Sequence, residues 1–276
     1  MEKILIVDFL NVAFRGMYIH SNMTYHNEKV GGLYGFCNIL FSNILKHKPN
    51  AVIFAKDGKK THTPTGLNLL YKANRSNSID KDYFYTSLSL INEFIAKSKI
   101  GLSIQENDTE ADDIIKWLCS RLIQHNIVIL SNDSDLYYLL KYKNVCIQTT
   151  KNLITDKEYR QLYGFSPELH NHYLALSGGH NNLPHPTGVG HKTAIKLVQD
   201  GLKSGDIENY LLNNCKEYDV FKRTFDFIAR PIVINIDILN LLSNTVCNKF
   251  DGEDYLISKC VRLSTTQKAF DILDKK

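Results

Sequence analysis

Ile127-Val128-Ile129-Leu130-Ser131-Asn132-Asp133-Ser134-Asp135 is a short apolar run that ends in two acids. Its length and β-branched content point to a buried strand rather than a helix. The same grammar appears twice more. Ile4-Leu5-Ile6-Val7 stops at Asp8, and Val52-Ile53-Phe54-Ala55 is followed by Lys56 and Asp57. Val145–Gln148 is a fourth run of this kind. Between the runs, Leu33–Leu45, Ser87–Ile95 and Asp112–Leu122 carry apolar residues at helical spacing. Strand alternating with helix predicts an α/β fold, a mostly parallel sheet flanked by helices. In such sheets functional side chains gather beyond the carboxyl ends of the strands, where these acids stand.

The rest of the chain sets the frame. With 276 residues it is long enough for one large domain or two small ones. After about Ser166 strand signals fade, so a boundary is placed between residues 1–165 and a helical region, 166–276. A formal net charge of +4 excludes a highly charged nucleic-acid coat but allows local basic patches. No apolar run approaches the ~18 residues of a spanning helix, and Asp8 cuts the N-terminal run short of a signal peptide. The six cysteines are scattered with no CxxC pair, which predicts buried thiols in a reducing compartment.

Seven acids form the main constellation: Asp8, Asp57, Asp133 and Asp135 at strand ends, with Glu110, Asp112 and Asp113 opening a helix. Asp108 or Thr109 is the expected N-cap of that helix. A strand-end Asp often merely caps the next helix, but seven aimed from one sheet edge need more. Two like charges ~4 Å apart repel by roughly 4 kcal/mol at an effective dielectric near 20. Such a cluster holds cations or keeps protons. Oxygen-only donors without Cys or clustered His favour Mg²⁺ or Mn²⁺ over zinc, and hard ions of that type serve phosphoryl chemistry.

Two further features suit a polyanion. Within the polar stretch Lys59–Asp82, Lys72 and Arg75 fall at i,i+3 beside Tyr71, which offers two cations on one helix face and a ring that stacks on a base. Later, Gly188-Val189-Gly190-His191-Lys192-Thr193 precedes an apolar-faced helix. The P-loop spacing is absent, so ATP is discounted. A turn whose backbone N–H groups and helix N-terminus cradle a phosphate, with Lys192 adding charge, is the better reading.

Taken in order, Val7-Asp8-Phe9-Leu10-Asn11 with Arg15, Gly32-Leu33-Tyr34-Gly35-Phe36, Asp57, Tyr71–Arg75, Glu110–Asp113, Asn132–Leu136 and Gly188–Ala194 resemble the 5′-nuclease or flap-endonuclease family. These motifs span residues 4–198. The resemblance implies a PIN-like α/β nuclease domain with a basic arch near 59–98, and a helix-three-turn-helix near 183–200. It implies hydrolysis at 5′ flaps, branched junctions or duplex 5′ ends by a cytoplasmic monomer of a bacterial cell or phage-infected host. RNA–DNA hybrids are included among its substrates. All seven acids match the family's metal-binding positions for Mg²⁺ or Mn²⁺. Lys72 and Arg75 match its catalytic basic residues. Arg15, Tyr71, Lys72, Arg75, Gly188, Gly190, Lys192 and Thr193 match DNA-binding positions, with K⁺ helping at the glycine turn.

The sequence departs from the family pattern at two places. Where the family has a Gly-Asp-x-x-Asp-Asn segment, Gly178 and Asn181 replace the two acids, so the second metal site is expected to be depleted. Pro64 stands where the arch often carries Arg. The alternative expectation is a catalytically weak or inactive DNA-structure-binding protein on the same scaffold.

Overall fold

The computed structural model describes residues 2–25, 27–59, 80–179 and 183–244. Tyr71, Lys72, Arg75, Asn181 and half of the expected arch lie outside the described residues. The described chain forms two compact units: 2–59 (without 26), 80–131 and 234–244 in the first, 132–179 and 183–233 in the second.

In the first unit, β1 (Lys3–Asp8) lies between β4 (Ala51–Lys56) and β6 (Asn126–Leu130), both parallel to it, and β5 (Leu102–Gln105) pairs parallel on the far side of β4. Ile4, Leu5, Ile6 and Val7 are at most 1% exposed. That full burial explains a continuous apolar run instead of an alternating one. Thr24–Tyr25 and Glu28–Lys29 form a small antiparallel pair, β2 and β3.

Helices α1 (Phe9–Ile19), α2 (Gly31–His47), α3 (Lys81–Ser98) and α4 (Ala111–Arg121) complete this unit, with α10 (Ile238–Asn244). The first two cross almost backbone to backbone: a Cβ on Gly35 would fall 2.5 Å from Gly16 Cα. Gly35, part of the Gly32–Phe36 motif, is there because this crossing leaves no room for a side chain. Phe9, Phe36 and Phe54 pack in sequence beneath it, with centroids 5.8 and 6.2 Å apart.

The second unit opens with a 3₁₀ helix, Ser134–Lys141, followed by the antiparallel pair β7 (Val145–Gln148) and β8 (Leu153–Ile154). Helices α5 (Asp156–Tyr163), α6 (His170–Ser177), α7 (His191–Ser204), α8 (Ile207–Asn214) and α9 (Tyr218–Ala229) then follow. Thr155 and Glu158 make a reciprocal capping box at the start of α5. A buried aromatic cluster organises this unit, with Tyr159 stacked on Tyr163 at 4.6 Å and Tyr163 edge-on to Tyr173 at 5.1 Å.

Candidate active site

Asp8 is the last residue of β1 and the N-cap of α1, and it is only 6% exposed. Its Oδ2 accepts the Ser131 hydroxyl at 2.7 Å and its Oδ1 accepts the Asn11 N–H at 3.4 Å. Burial pulls the Arg15 guanidinium below its ordinary range while the Asp8 charge opposes that shift. Arg15 Nη1 is buried and makes no hydrogen bond within the protein.

Asp57 stands on the same sheet edge, because Asp8 is in register with Ala55. Its Oδ1 accepts the Ala111 N–H at 2.8 Å, and its carbonyl accepts from Gln105 Nε2 at 2.7 Å. Gly58 N–H donates to the Thr109 carbonyl at 2.8 Å. The exit of β4 is thus tied to the loop that leads into α4, whose first turn carries Asp112 and Asp113.

This changes the expected cap. The N-cap of α4 is Glu110, in extended conformation and with no side-chain cap bond, rather than Asp108 or Thr109. Asp108 adopts φ 57, which removes it from an N-cap's usual β geometry. The capping oxygen instead comes from Asp57, on another strand. Glu110 therefore sits at the helix mouth, three residues before Asp113.

In the second unit, Asp133 caps the 3₁₀ helix by accepting the Asp135 N–H at 2.9 Å. Burial, and secondly the Asp133 charge, push the Tyr137 phenol upward. Asp135 faces the segment after α6: a Cβ on Gly179 would lie 2.9 Å from Asp135 Oδ1. Next to it, Gly178 closes α6 at φ 79, and a Cβ there would meet His185 Nδ1 at 2.4 Å.

The glycine turn enters α7 as expected, but its two glycines differ. Gly188 has φ 76, whereas Gly190 is the extended N-cap of α7, with φ −85 and ψ 179. Of the two, Gly188 alone needs a positive φ. A Cβ at either position would meet nothing within 4 Å. Lys192 and Thr193 are exposed in the first turn. Thr187 N–H donates to Glu217 Oε2 at 2.8 Å, and the Tyr173 hydroxyl bonds His191 Nδ1 at 2.8 Å.

Among the described residues, no three His, Cys, Asp or Glu stand close enough to hold a metal unaided. The donors are carboxylate oxygens, which suit an ion that keeps several waters and takes the remaining oxygens from a phosphate.

A family model described as "5'-3' exonuclease, N-terminal resolvase-like domain" matches residues 3–164. This chain belongs to that family. It is 30% identical over 245 residues to the thermostable DNA polymerase I of Thermus filiformis, covering 87% of this chain and 28% of that one. It is 28% identical over 231 residues to the 5'-3' exonuclease of Aquifex aeolicus, covering 82% and 76%. The chain therefore spans under a third of the polymerase that it matches. Among solved structures, the bacteriophage T5 flap endonuclease in a pseudo-enzyme-product complex with DNA and metal ions matches with TM-score 0.66 at 17% identity, covering 98% of both chains. The T5 5'-exonuclease with bound zinc matches at TM-score 0.64, 17% identity and the same coverage. At these identities the likeness is one of fold.

The local sequence does not disclose how His170, Ser131 and Gly58 act. The burial of Ser131 and His170 depends on contacts distant in sequence, which no local period signals. Among the described residues, no helix is long and apolar enough to cross a membrane.

Proposed function

We propose that this protein is a divalent-metal-dependent 5′ nuclease that hydrolyses phosphodiesters at 5′ flaps, branched junctions or duplex 5′ ends, with a depleted second metal site. One observation carries the reading: Asp8 and Asp57 share a sheet edge, and Asp57 grips the start of the helix that bears Asp112 and Asp113. An acidic edge repels a polyanion, and bound cations resolve that conflict.

In this reading Asp8, Asp57, Glu110, Asp112 and Asp113 serve a first Mg²⁺ or Mn²⁺, and Asp133 and Asp135 a second. When bound, such an ion lowers the pKa of water and neutralises charge developing on phosphate. The chain's residues do the remaining work. The Ser131 hydroxyl and Asn11 N–H orient Asp8. Arg15 contacts the DNA. Lys72 and Arg75 hold the scissile phosphate, and Tyr71 stacks on a base. Gly188, Gly190, Lys192 and Thr193 anchor the duplex arm through one phosphate, with K⁺ completing the turn. Residues 1–165 are the catalytic part and 166–276 the duplex-binding part. The partner is branched or 5′-ended DNA, with RNA–DNA hybrids accepted, and the protein acts as a cytoplasmic monomer.

A second reading, a DNA-structure binder without catalysis, draws on Gly178, whose surroundings admit no acidic side chain. Cleavage of a labelled 5′-flap duplex in Mg²⁺, beside binding measured in Ca²⁺, separates the two. Asp8→Asn and Asp113→Asn should abolish cleavage and leave flap affinity unchanged or higher. Wild-type cleavage by either variant sinks the site assignment.

A further inference from the structure

His170 is 0% exposed and its ring is enclosed by Tyr137, Tyr159, Tyr163 and Tyr173, with centroids 5.3–5.8 Å away. A phenylalanine would fill such a cage without the cost of burying two nitrogens. Both nitrogens are used. Nε2 lies 2.8 Å from the Ser134 carbonyl oxygen, and Nδ1 lies 2.9 Å from the Tyr159 hydroxyl. A carbonyl only accepts, so Nε2 carries the proton. In the neutral ring Nδ1 then accepts from Tyr159. Burial pushes the His170 pKa down to about 3, so the ring stays neutral near physiological pH.

Ser134 is the residue between Asp133 and Asp135, and it begins a 3₁₀ helix of 8 residues. Runs of 3₁₀ longer than 3–4 residues are uncommon, because their hydrogen bonds are poorly aligned. This turn is closed from one side by Asp133 accepting the Asp135 N–H. His170 reaches it from α6, on the other side of the chain order.

We infer that His170 is a positioning residue for the Asp133–Asp135 pair: its Nε2–H holds the Ser134 carbonyl, and the Tyr159 hydroxyl satisfies Nδ1 on the other side of the ring. The consequence for catalysis rests on the nuclease reading; the geometry does not. Partners of this indirect kind typically change metal affinity or activity by 10–100-fold when removed.

The test uses the full chain and three variants. His170→Phe keeps the ring volume and loses the donor. His170→Gln places an amide N–H where Nε2–H was. Tyr159→Phe keeps the cage and removes the hydroxyl that donates to Nδ1. Nitrogen-15 NMR of the unmodified protein should show the Nε2–H tautomer of His170. Amide hydrogen exchange across residues 133–141 should quicken at least about tenfold in His170→Phe, with less change elsewhere, and recover in His170→Gln. The Mn²⁺ needed for half-maximal flap cleavage should rise about tenfold or more in His170→Phe while DNA affinity in Ca²⁺ holds.

If His170→Phe does not fold, Tyr159→Phe should still quicken exchange in the same segment, because it leaves the buried Nδ1 without its donor. An Nδ1–H tautomer in the unmodified protein overturns the inference. So does unchanged exchange and metal demand in His170→Phe, or a His170→Gln that recovers neither. Absence of cleavage by the unmodified protein counts against the proposed function alone, since the tautomer and exchange readings support or overturn the positioning role without it.

Discussion

Asp57 Oδ1 accepts the backbone N–H of Ala111 at 2.8 Å, so an acid at the end of one strand caps a helix that begins 54 residues later. Helix α4 has no side-chain cap of its own. Asp57 therefore combines two roles that the sequence offered as rivals, helix capping and a place on the acidic edge.

The two roles separate by substitution. Asp57→Ala should lower unfolding stability by about 1 kcal/mol, the usual worth of a cap. Asp57→Asn retains an oxygen at the same place and should lose well under half of that. Both variants should nevertheless cleave flap DNA poorly, because each removes the charge. Urea denaturation that finds Asp57→Ala as stable as the unmodified chain removes the capping role. Full cleavage by Asp57→Asn removes the catalytic one.

Gly178 sets the second prediction. Returning an aspartate to this position should harm the protein rather than improve its metal site. Position 178 has φ 79, where a non-glycine residue costs roughly 1–2 kcal/mol. Its Cβ would also meet His185 Nδ1 at 2.4 Å and the Leu183 carbonyl oxygen at 2.9 Å. His185→Ala would clear only the first. Gly178→Asp should thus lower Tm without lowering the Mg²⁺ needed for half-maximal cleavage, whereas Asn181→Asp alone should lower that Mg²⁺ requirement. An undiminished Tm in Gly178→Asp contradicts the steric argument.

How much is legible in the sequence follows from where each signal lies. Ile4–Val7 and Ile127–Leu130 announce themselves because both of their faces are buried, and β1 and β6 extend them by only a residue or two. Strand β5 sends no such signal, because Leu102–Gln105 is an edge with one fully buried residue, Ile104. Helix α1 is masked as well, since it starts directly behind the apolar strand and Asp8, its own cap, reads first as a strand-end acid. The acids are legible as residues at strand ends. Their support is not: the Ser131 hydroxyl reaches Asp8 across 123 positions, and His170 reaches Ser134 across 36. Periodicity reports which face is buried, never which distant polar atom completes it.

At the glycine turn, the two glycines should respond differently to alanine. Gly188→Ala should cost stability, because φ 76 is a left-handed conformation. Gly190→Ala should leave stability within about 0.5 kcal/mol of the unmodified chain, since its backbone is extended and its surroundings are open. That same openness is where a phosphate would approach, so Gly190→Ala should weaken duplex binding despite an intact fold. Lys192→Ala should weaken it too and flatten the salt slope by about 0.9, the value for one phosphate left unneutralised. Duplex affinity unchanged in both variants, measured across a salt series, would remove the turn from the DNA interface.

The last prediction concerns acid. His170 titrates near 6.5 when unfolded but at about 3 in the folded protein, because burial disfavours its charged form. Between those values the unfolded chain binds a proton that the native chain refuses. Stability must then fall as pH drops, by up to about 1.4 kcal/mol per pH unit from this residue. Above pH 6.5 both states are neutral and His170 adds no pH dependence. His172 is also shifted down by burial, against the pull of Glu208, and acts in the same direction. Depressed carboxylates such as Glu158 add to the trend, so the absolute curve belongs to several groups at once. The difference between proteins belongs to one. His170→Phe carries no titrating group in either state, and its stability should decline less steeply from pH 6.5 toward pH 4 than that of the unmodified chain. Urea unfolding at matched pH values checks this directly. Parallel decline in the two proteins would mean that His170 becomes protonated in the folded state, and the Nε2–H to Ser134 arrangement would then no longer require a neutral ring.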